Sequence, residues 1–233
     1  LIKSLADYVY SHGTEIKKML READVETVNR GLNPTVKDSF AIEFKVRPLP
    51  ENVTIKTFEA EPSAEPNVYP PFKKTDKQVT VNVPYFIDYY PVKNVRFPFA
   101  WLIEINDKQV LDLLRLHGIK IEKLTEPLKC SAERFEISDL KGAPNLNQGH
   151  YLNTIQGRYI SDAVDFPAGT IVIRAAQPLA NLAAYLLEPQ SNDGLLTWNY
   201  LDRYLIPQWG RGYNPYPVCR IIIPVEIKST PLK

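Results

Sequence analysis

The apolar residues of this chain change their spacing once, close to its start, and that change limits what the chain can fold into. Ile2, Leu5, Val9, His12, Ile16, Met19 and Ala23 recur every three or four positions, with Lys3, Asp7, Lys17, Lys18 and Arg21 on the opposite side. This spacing predicts an amphipathic helix of several turns, closed by Gly31 and Pro34. From Phe40 to Arg47 the period falls to two: Phe40, Ile42, Phe44 and Val46 alternate with polar Glu43, Lys45 and Arg47. That is the pattern of a half-buried strand. The stripe from Leu5 to Met19 is too continuous to be left in water, so the first helix is expected to be an interface element.

Strand-like patterns then dominate. They occur at Val53, Ile55 and Thr57, at Val79, Val81 and Val83, from Phe97 to Ile105, at Ile119 to Leu124, Ala132 to Ile137 and Gly169 to Arg174, and in the apolar run Val218 to Val225. Glu59 to Lys74 holds Pro62, Pro66, Pro70 and Pro71 and reads as a long exposed loop. Asn106 is placed to cap a helix with Gln109 as reciprocal partner, Val110, Leu113 and Leu114 as its buried face and Gly118 as its left-handed terminator. A second helix starts at Gln177-Pro178 and ends before Pro189, and a third is expected after an Asp193 cap, carrying Trp198, Leu201, Tyr204 and Leu205. Many strands, several helices and no regular strand-helix alternation imply α+β: a mixed or antiparallel sheet with packed helices, preceded by one amphipathic helix. A chain of 233 residues should bury roughly 70% of its unfolded surface.

Charge narrows the partners. The formal net charge is +1, with both signs scattered, which leaves no electrostatic footprint for nucleic acid or an anionic membrane. No apolar run has the length of a membrane span, and the start lacks the regions of a signal peptide. The chain opens at Leu1 without Met, as a piece of a longer precursor would. Cys130 and Cys219 have no metal or redox spacing; they are either two buried thiols or one bridge.

The most specific stretch runs from Gln148 to Trp209. It contains Phe166-Pro167-Ala168-Gly169-Thr170, Gln177-Pro178-Leu179-Ala180-Asn181-Leu182, Leu186-Leu187-Glu188-Pro189, Asn192-Asp193-Gly194-Leu195 and Thr197-Trp198-Asn199. In that order it resembles the C-terminal region of large bacterial zinc carboxypeptidases of the carboxypeptidase A-like superfamily, in which an accessory domain follows the catalytic one. The resemblance covers about Arg96 to Trp209 and is to the accessory part. It implies that residues 1–32 end, or link to, a missing catalytic domain and that residues 33–233 are an accessory α+β domain. It further implies a non-catalytic role: docking on and supporting the catalytic domain of the same polypeptide, a metallocarboxypeptidase that releases C-terminal residues from peptides. Zinc is then expected in that missing domain, with no cofactor in this chain, and the location is periplasmic or extracellular. The alternative is an independent glycan- or peptide-binding module of the cell envelope. An exposed apolar helix stripe favours docking, and a concave aromatic surface favours ligand binding.

His12-Gly13-Thr14-Glu15 is an H-x-x-E, which the resembled enzymes use as two zinc ligands, and His117 stands downstream where a third could be sought. A zinc site needs three converging ligands, an open position and a base. His12 instead falls in the helix stripe, and His117 ends another helix, where it is expected to donate to the last carbonyls. His150, in Gln148-Gly149-His150-Tyr151, reads as a turn residue. No nucleophile elbow, phosphate loop or Cys-centred site is evident, so no catalytic, cofactor or metal residue is assigned. Helical spacing puts Trp198 and Tyr204 in packing roles. The glycines of Trp209-Gly210-Arg211-Gly212-Tyr213 imply a loop, which makes Trp209, Arg211 and Tyr213 candidates for ligand or interdomain contact, with plain packing the third reading.

Overall fold

Ile2–Leu32 form one continuous helix, α1, in the computed structural model, which describes residues 2–65, 69–209 and 211–232. The helix ends at the breakers identified above. Four long strands follow: β1 (Ser39–Pro48), β2 (Val53–Pro62), β3 (Phe72–Val83) and β4 (Phe86–Arg96). The chain divides into two compact units, one comprising Leu1–Glu43 and Lys93–Lys233, the other Phe44–Val92.

In the smaller unit β2 and β3 pair antiparallel, with Val53 opposite Val83, Ile55 opposite Val81 and Thr57 opposite Val79. The pairing runs on to Pro62 opposite Phe72 after an irregularity between Phe58 and Ala60. The loop expected from Glu59 to Lys74 is therefore much shorter; Pro66 lies outside the described residues. Proline at Pro62 is tolerated because it sits at a strand end in a two-stranded ladder, where a missing N–H leaves no central hydrogen bond unmade. β1 and β4 make a second two-stranded ladder. None of the described residues from 44 to 92 is buried, so Phe44 and Val46 stay partly exposed although their alternation is that of a half-buried strand.

The larger unit continues with β5 (Ala100–Ile103), α2 (Lys108–Leu116), β6 (Glu122–Leu124), β7 (Leu128–Gly142), β8 (Asn153–Phe166), β9 (Ile171–Arg174), α3 (Ala180–Leu187), α4 (Asp202–Leu205), β10 (Val218–Ile221) and β11 (Ser229–Pro231). Its seven strands lie in the order β11-β6-β9-β5-β10-β7-β8, and every pairing is antiparallel. The fold is α+β. β5, β9 and β10 occupy the middle of this sheet, which is why their sequences are nearly unbroken apolar runs. Trp101, Ile103, Ile171, Ile173 and Val218 face one core with residues of α2, α3 and α4. Ala100, Leu102, Val172, Cys219 and Ile221 face a second. No helix among the described residues is long and apolar enough to cross a membrane.

The cap of α2 corrects the sequence reading by one residue. Asp107, not Asn106, is the N-cap: its Oδ1 accepts from the N–H groups of Gln109 at 2.8 Å and Val110 at 3.3 Å. Its Oδ2 accepts from the Tyr204 hydroxyl at 2.7 Å and from Arg203 at 2.5 Å. The tie to α4 is a tertiary contact that no local pattern contains. At the other end Gly118 takes φ +79°, as a left-handed terminator requires. The helix expected after Asp193 is absent. Residues 192–201 form successive turns and only Asp202–Leu205 are helical, because Asn199 adopts φ +66° and so cannot continue a right-handed helix.

Burial pushes the Asp107 carboxyl up, but the Tyr204 hydroxyl, the Val110 and Gln109 N–H groups and the Arg203 guanidinium outweigh it, and the net shift is downward. A depressed carboxylate contributes stability that is complete above its unfolded value of about 3.9 and is lost as pH falls through the folded one. Asp107→Ala is expected to cost about 0.5–2 kcal/mol at pH 7 and to flatten the loss of stability below about pH 4. Urea denaturation at pH 7 and pH 3 measures both; an unchanged acid profile would refute the assignment.

Candidate functional site

The turns that replace the expected helix line a groove in the larger unit. Its deeper part, about 290 Å³, is bounded by Leu113 and His117 from α2, Leu182, Tyr185 and Leu186 from α3, and His150, Asp193, Trp198 and Tyr200. An adjoining part of about 660 Å³ shares Leu113, His150, Trp198 and Tyr200 and extends to Gln109, Asp112, Leu116 and Asn199.

Local backbone conformation sets this arrangement. Gln148 and Gly149 take φ +51° and +85°, and the N–H of Asn147 and the C=O of His150 close the turn at 2.8 Å. Asn199 bridges that turn to the 192–200 segment. Its Nδ2 donates to the Tyr151 carbonyl at 3.0 Å and to Asp202 at 3.2 Å. Its Oδ1 is therefore the acceptor for His150 Nδ1 at 3.1 Å. Asn153 donates to the other Asp202 oxygen at 2.6 Å. Burial raises the Asp202 carboxyl despite these two amide donors.

His150 packs edge-to-face on Trp198 with ring centroids 5.3 Å apart. The Trp198 indole N–H donates to Asp193, so Asp193 orients a ring and caps no helix. The Tyr185 hydroxyl, which donates to Asn192, is shifted upward by burial first and by the Asp193 charge second, against a hydrogen bond with Ser191. The motif Asn192-Asp193-Gly194-Leu195, Thr197-Trp198-Asn199 thus becomes one wall of the groove.

Of the residues assigned from sequence, Trp209 is 87% exposed and Arg211 is exposed. Tyr213 is half-buried, its phenol oxygen accepting from the Leu140 N–H at 3.2 Å. None of the three lines the groove, and Gly210 lies outside the described residues. His12 stacks on Tyr8 at 4.1 Å, with Nδ1 3.0 Å from the Tyr8 carbonyl. His117 and His150, which the sequence places on separate elements, meet at the same groove, and the C-cap of α2 is closed by the His117 backbone N–H. Among the described residues no three His, Cys, Asp or Glu side chains form a group able to hold a metal. Cys130 and Cys219 are free thiols. Burial and the neighbouring Glu104 push Cys219 up to about 12, and burial also raises Cys130, which leaves both poor nucleophiles.

The second surface of note is α1. Only its last turns meet the rest of the unit: Thr27 and Gly31 are buried, Arg30 lies 4.1 Å over the Phe97 ring and donates to Asn181 near the start of α3. Upstream, Leu5, Val9 and Met19 are 59%, 54% and 61% exposed. No protein family, curated protein or solved structure matches this chain.

Proposed function

We propose that this chain is a non-catalytic accessory domain that docks through α1 on the catalytic domain of the same polypeptide, a zinc metallocarboxypeptidase of the periplasm or cell exterior. One observation carries the docking: a helix of 31 residues is held at one end while its apolar stripe stays in water. Covering that stripe would remove several hundred Å² of apolar surface from water, worth several kcal/mol at roughly 25 cal/mol per Å² before ordering costs. The identity of the partner rests on the motifs between Arg96 and Trp209. The concave aromatic groove at Trp198 favours a second reading, an independent peptide- or glycan-binding module, and a protein with both surfaces can serve both roles.

The test supplies the catalytic domain in trans and measures its association with this chain. Val9→Asp is expected to weaken association at least tenfold while shifting stability by no more than about 0.5 kcal/mol, the range for an exposed position. Sedimentation of the chain alone separates pairing between copies, which the same variant would disperse. If Val9→Asp unfolds the domain, the stripe belongs to its own core and docking through α1 is wrong.

The isolated chain is also expected to release no C-terminal residue from peptides and to hold no stoichiometric zinc after dialysis. One tightly bound zinc per chain, lost on His12→Ala, would reverse that expectation.

A further inference from the structure

We propose that the groove at Trp198 is a binding site for the cationic side chain of an arginine or lysine in a peptide, with Asp193 as its counter-ion. Its charge is one-sided. The carboxylates lining it are Asp112 and Asp193, and no Lys or Arg lines either part. Asp112 is already paired, with Lys108 and with Arg115 at 3.2 Å. The side-chain donor to Asp193 is the neutral Trp198 indole, and no ion pair joins Asp193 to a cation among the described residues. Asp193 is an exposed carboxylate on the wall of a concave site, and with no cation beside it the field in the groove is negative, which draws a cationic ligand toward it.

The remaining lining suits the same ligand. Trp198, Tyr200 and Tyr185 present aromatic rings, whose faces attract guanidinium and ammonium groups. The C-terminal end of α2 reaches the groove at His117, and its carbonyls carry the negative end of a helix dipole. Leu113, Leu182 and Leu186 supply an apolar floor for the methylene stem that both basic side chains bury while keeping the charge at the tip. The two adjoining parts, about 290 and 660 Å³, are of the order of small-ligand sites, which run from roughly 300 to 1,000 Å³. A neutral sugar can stack on the rings and donate hydroxyls to Asp193, but it gains nothing from the negative charge of the groove, so the charge favours the basic side chain. The inference concerns the groove alone and stands whether or not α1 docks on another domain.

The experiment titrates the ¹⁵N-labelled full chain with N-acetyl-arginine amide, N-acetyl-lysine amide, the neutral arginine isostere N-acetyl-citrulline amide, and chito-oligosaccharide. The readout is the Trp198 indole N–H resonance, identified by its loss in Trp198→Phe. The arginine compound is expected to shift that resonance and to bind at least tenfold more tightly than citrulline. Asp193→Asn, which keeps an oxygen to accept the indole N–H, is expected to erase the difference. Equal binding of arginine and citrulline, a preference that survives Asp193→Asn, or a Trp198 response to the sugar but to neither cation would each overturn the proposal. The comparison of arginine with citrulline is made in the unaltered protein, so it decides even if the variant fails to fold.

Discussion

Replacing Glu188 by alanine is expected to cost about 3–5 kcal/mol of folding stability, the cost typical of breaking a buried ion pair from one side. The pair is a consequence of strand register. In β10 the side chains alternate between the two cores, and Arg220 stands opposite Trp101 of β5 and Glu133 of β7, on the face packed by the helices. A guanidinium only 4% exposed there needs full compensation. Glu188, at the C-terminal cap of α3 and itself 2% exposed, accepts from Arg220 Nη1 at 3.2 and 3.1 Å. Glu133 accepts from Nε and Nη2 at 3.1 and 2.5 Å. The Tyr159 hydroxyl donates to Glu188 at 2.6 Å, and its ring lies 3.3 Å beneath the guanidinium. Burial works against the charged arginine, but the two carboxylates prevail and its pKa is shifted upward.

Alanine at 188 would leave Arg220 with Glu133 on one side and apolar atoms on the other. Urea denaturation of Glu188→Ala, Arg220→Met and the double variant Glu188→Leu with Arg220→Met checks this. The double variant should recover only part of the loss, since the buried pair is removed as a unit but Glu133 loses Arg220 and the Tyr159 hydroxyl loses Glu188. A loss under about 1 kcal/mol for Glu188→Ala, the usual worth of an exposed pair, would show that water reaches the cluster.

Gly31→Val is expected to be the next most damaging change, at about 1–3 kcal/mol, the cost of forcing atoms into a packed contact. A Cβ at Gly31 would overlap the carbonyl carbon and oxygen of Ala175 and the N of Ala176, all backbone, so no side chain can turn aside. The last turn of α1 would lift from the segment that follows β9, and Arg30 would leave Phe97 and Asn181. Hydrogen exchange at Thr27–Leu32 should rise with the fall in stability. Gly13 is the internal control. Nothing lies within 4 Å of its added Cβ, so Gly13→Ala should stabilise the exposed helix by about 0.5–1 kcal/mol. If both substitutions behave alike, α1 is not anchored through Gly31.

Features coded by near neighbours were legible in the sequence: the helix α1 and its end, the alternation of β1, the terminator Gly118 and the helix α3, although α3 starts at Ala180, two residues after the Pro178 expected to open it. Each depends on residues within a turn or two, where period and backbone chemistry act directly. The misplacements share one cause. Asp107 outcompetes Asn106 as cap while also accepting from Arg203 and Tyr204. The segment after Asp193 has helical spacing, yet Asn199 spends its backbone on a left-handed turn that its side chain repays at Tyr151, His150 and Asp202. β8 escaped notice because it is an edge strand whose exposed face carries Thr154, Gln156 and Arg158, which dilutes the apolar pattern.

The motifs from Phe166 to Asn199 were conspicuous as a string of residues, but what they build was not. The groove takes Leu113 and His117 from one helix, Leu182 and Tyr185 from another, and His150 and Trp198 from two turns. Their convergence depends on strand order, which no local signal encodes. By itself the sequence determined the fold class, the amphipathic first helix and the positions of most elements, because hydrophobic period is a local property. Only the tertiary structure decided that the helix stripe lies open, that Arg220 must be met by Glu188 across 32 residues of chain, and that Asp193 faces a concave wall without a cation. Burial and charge compensation are properties of surroundings, and the surroundings exist only once the chain has folded.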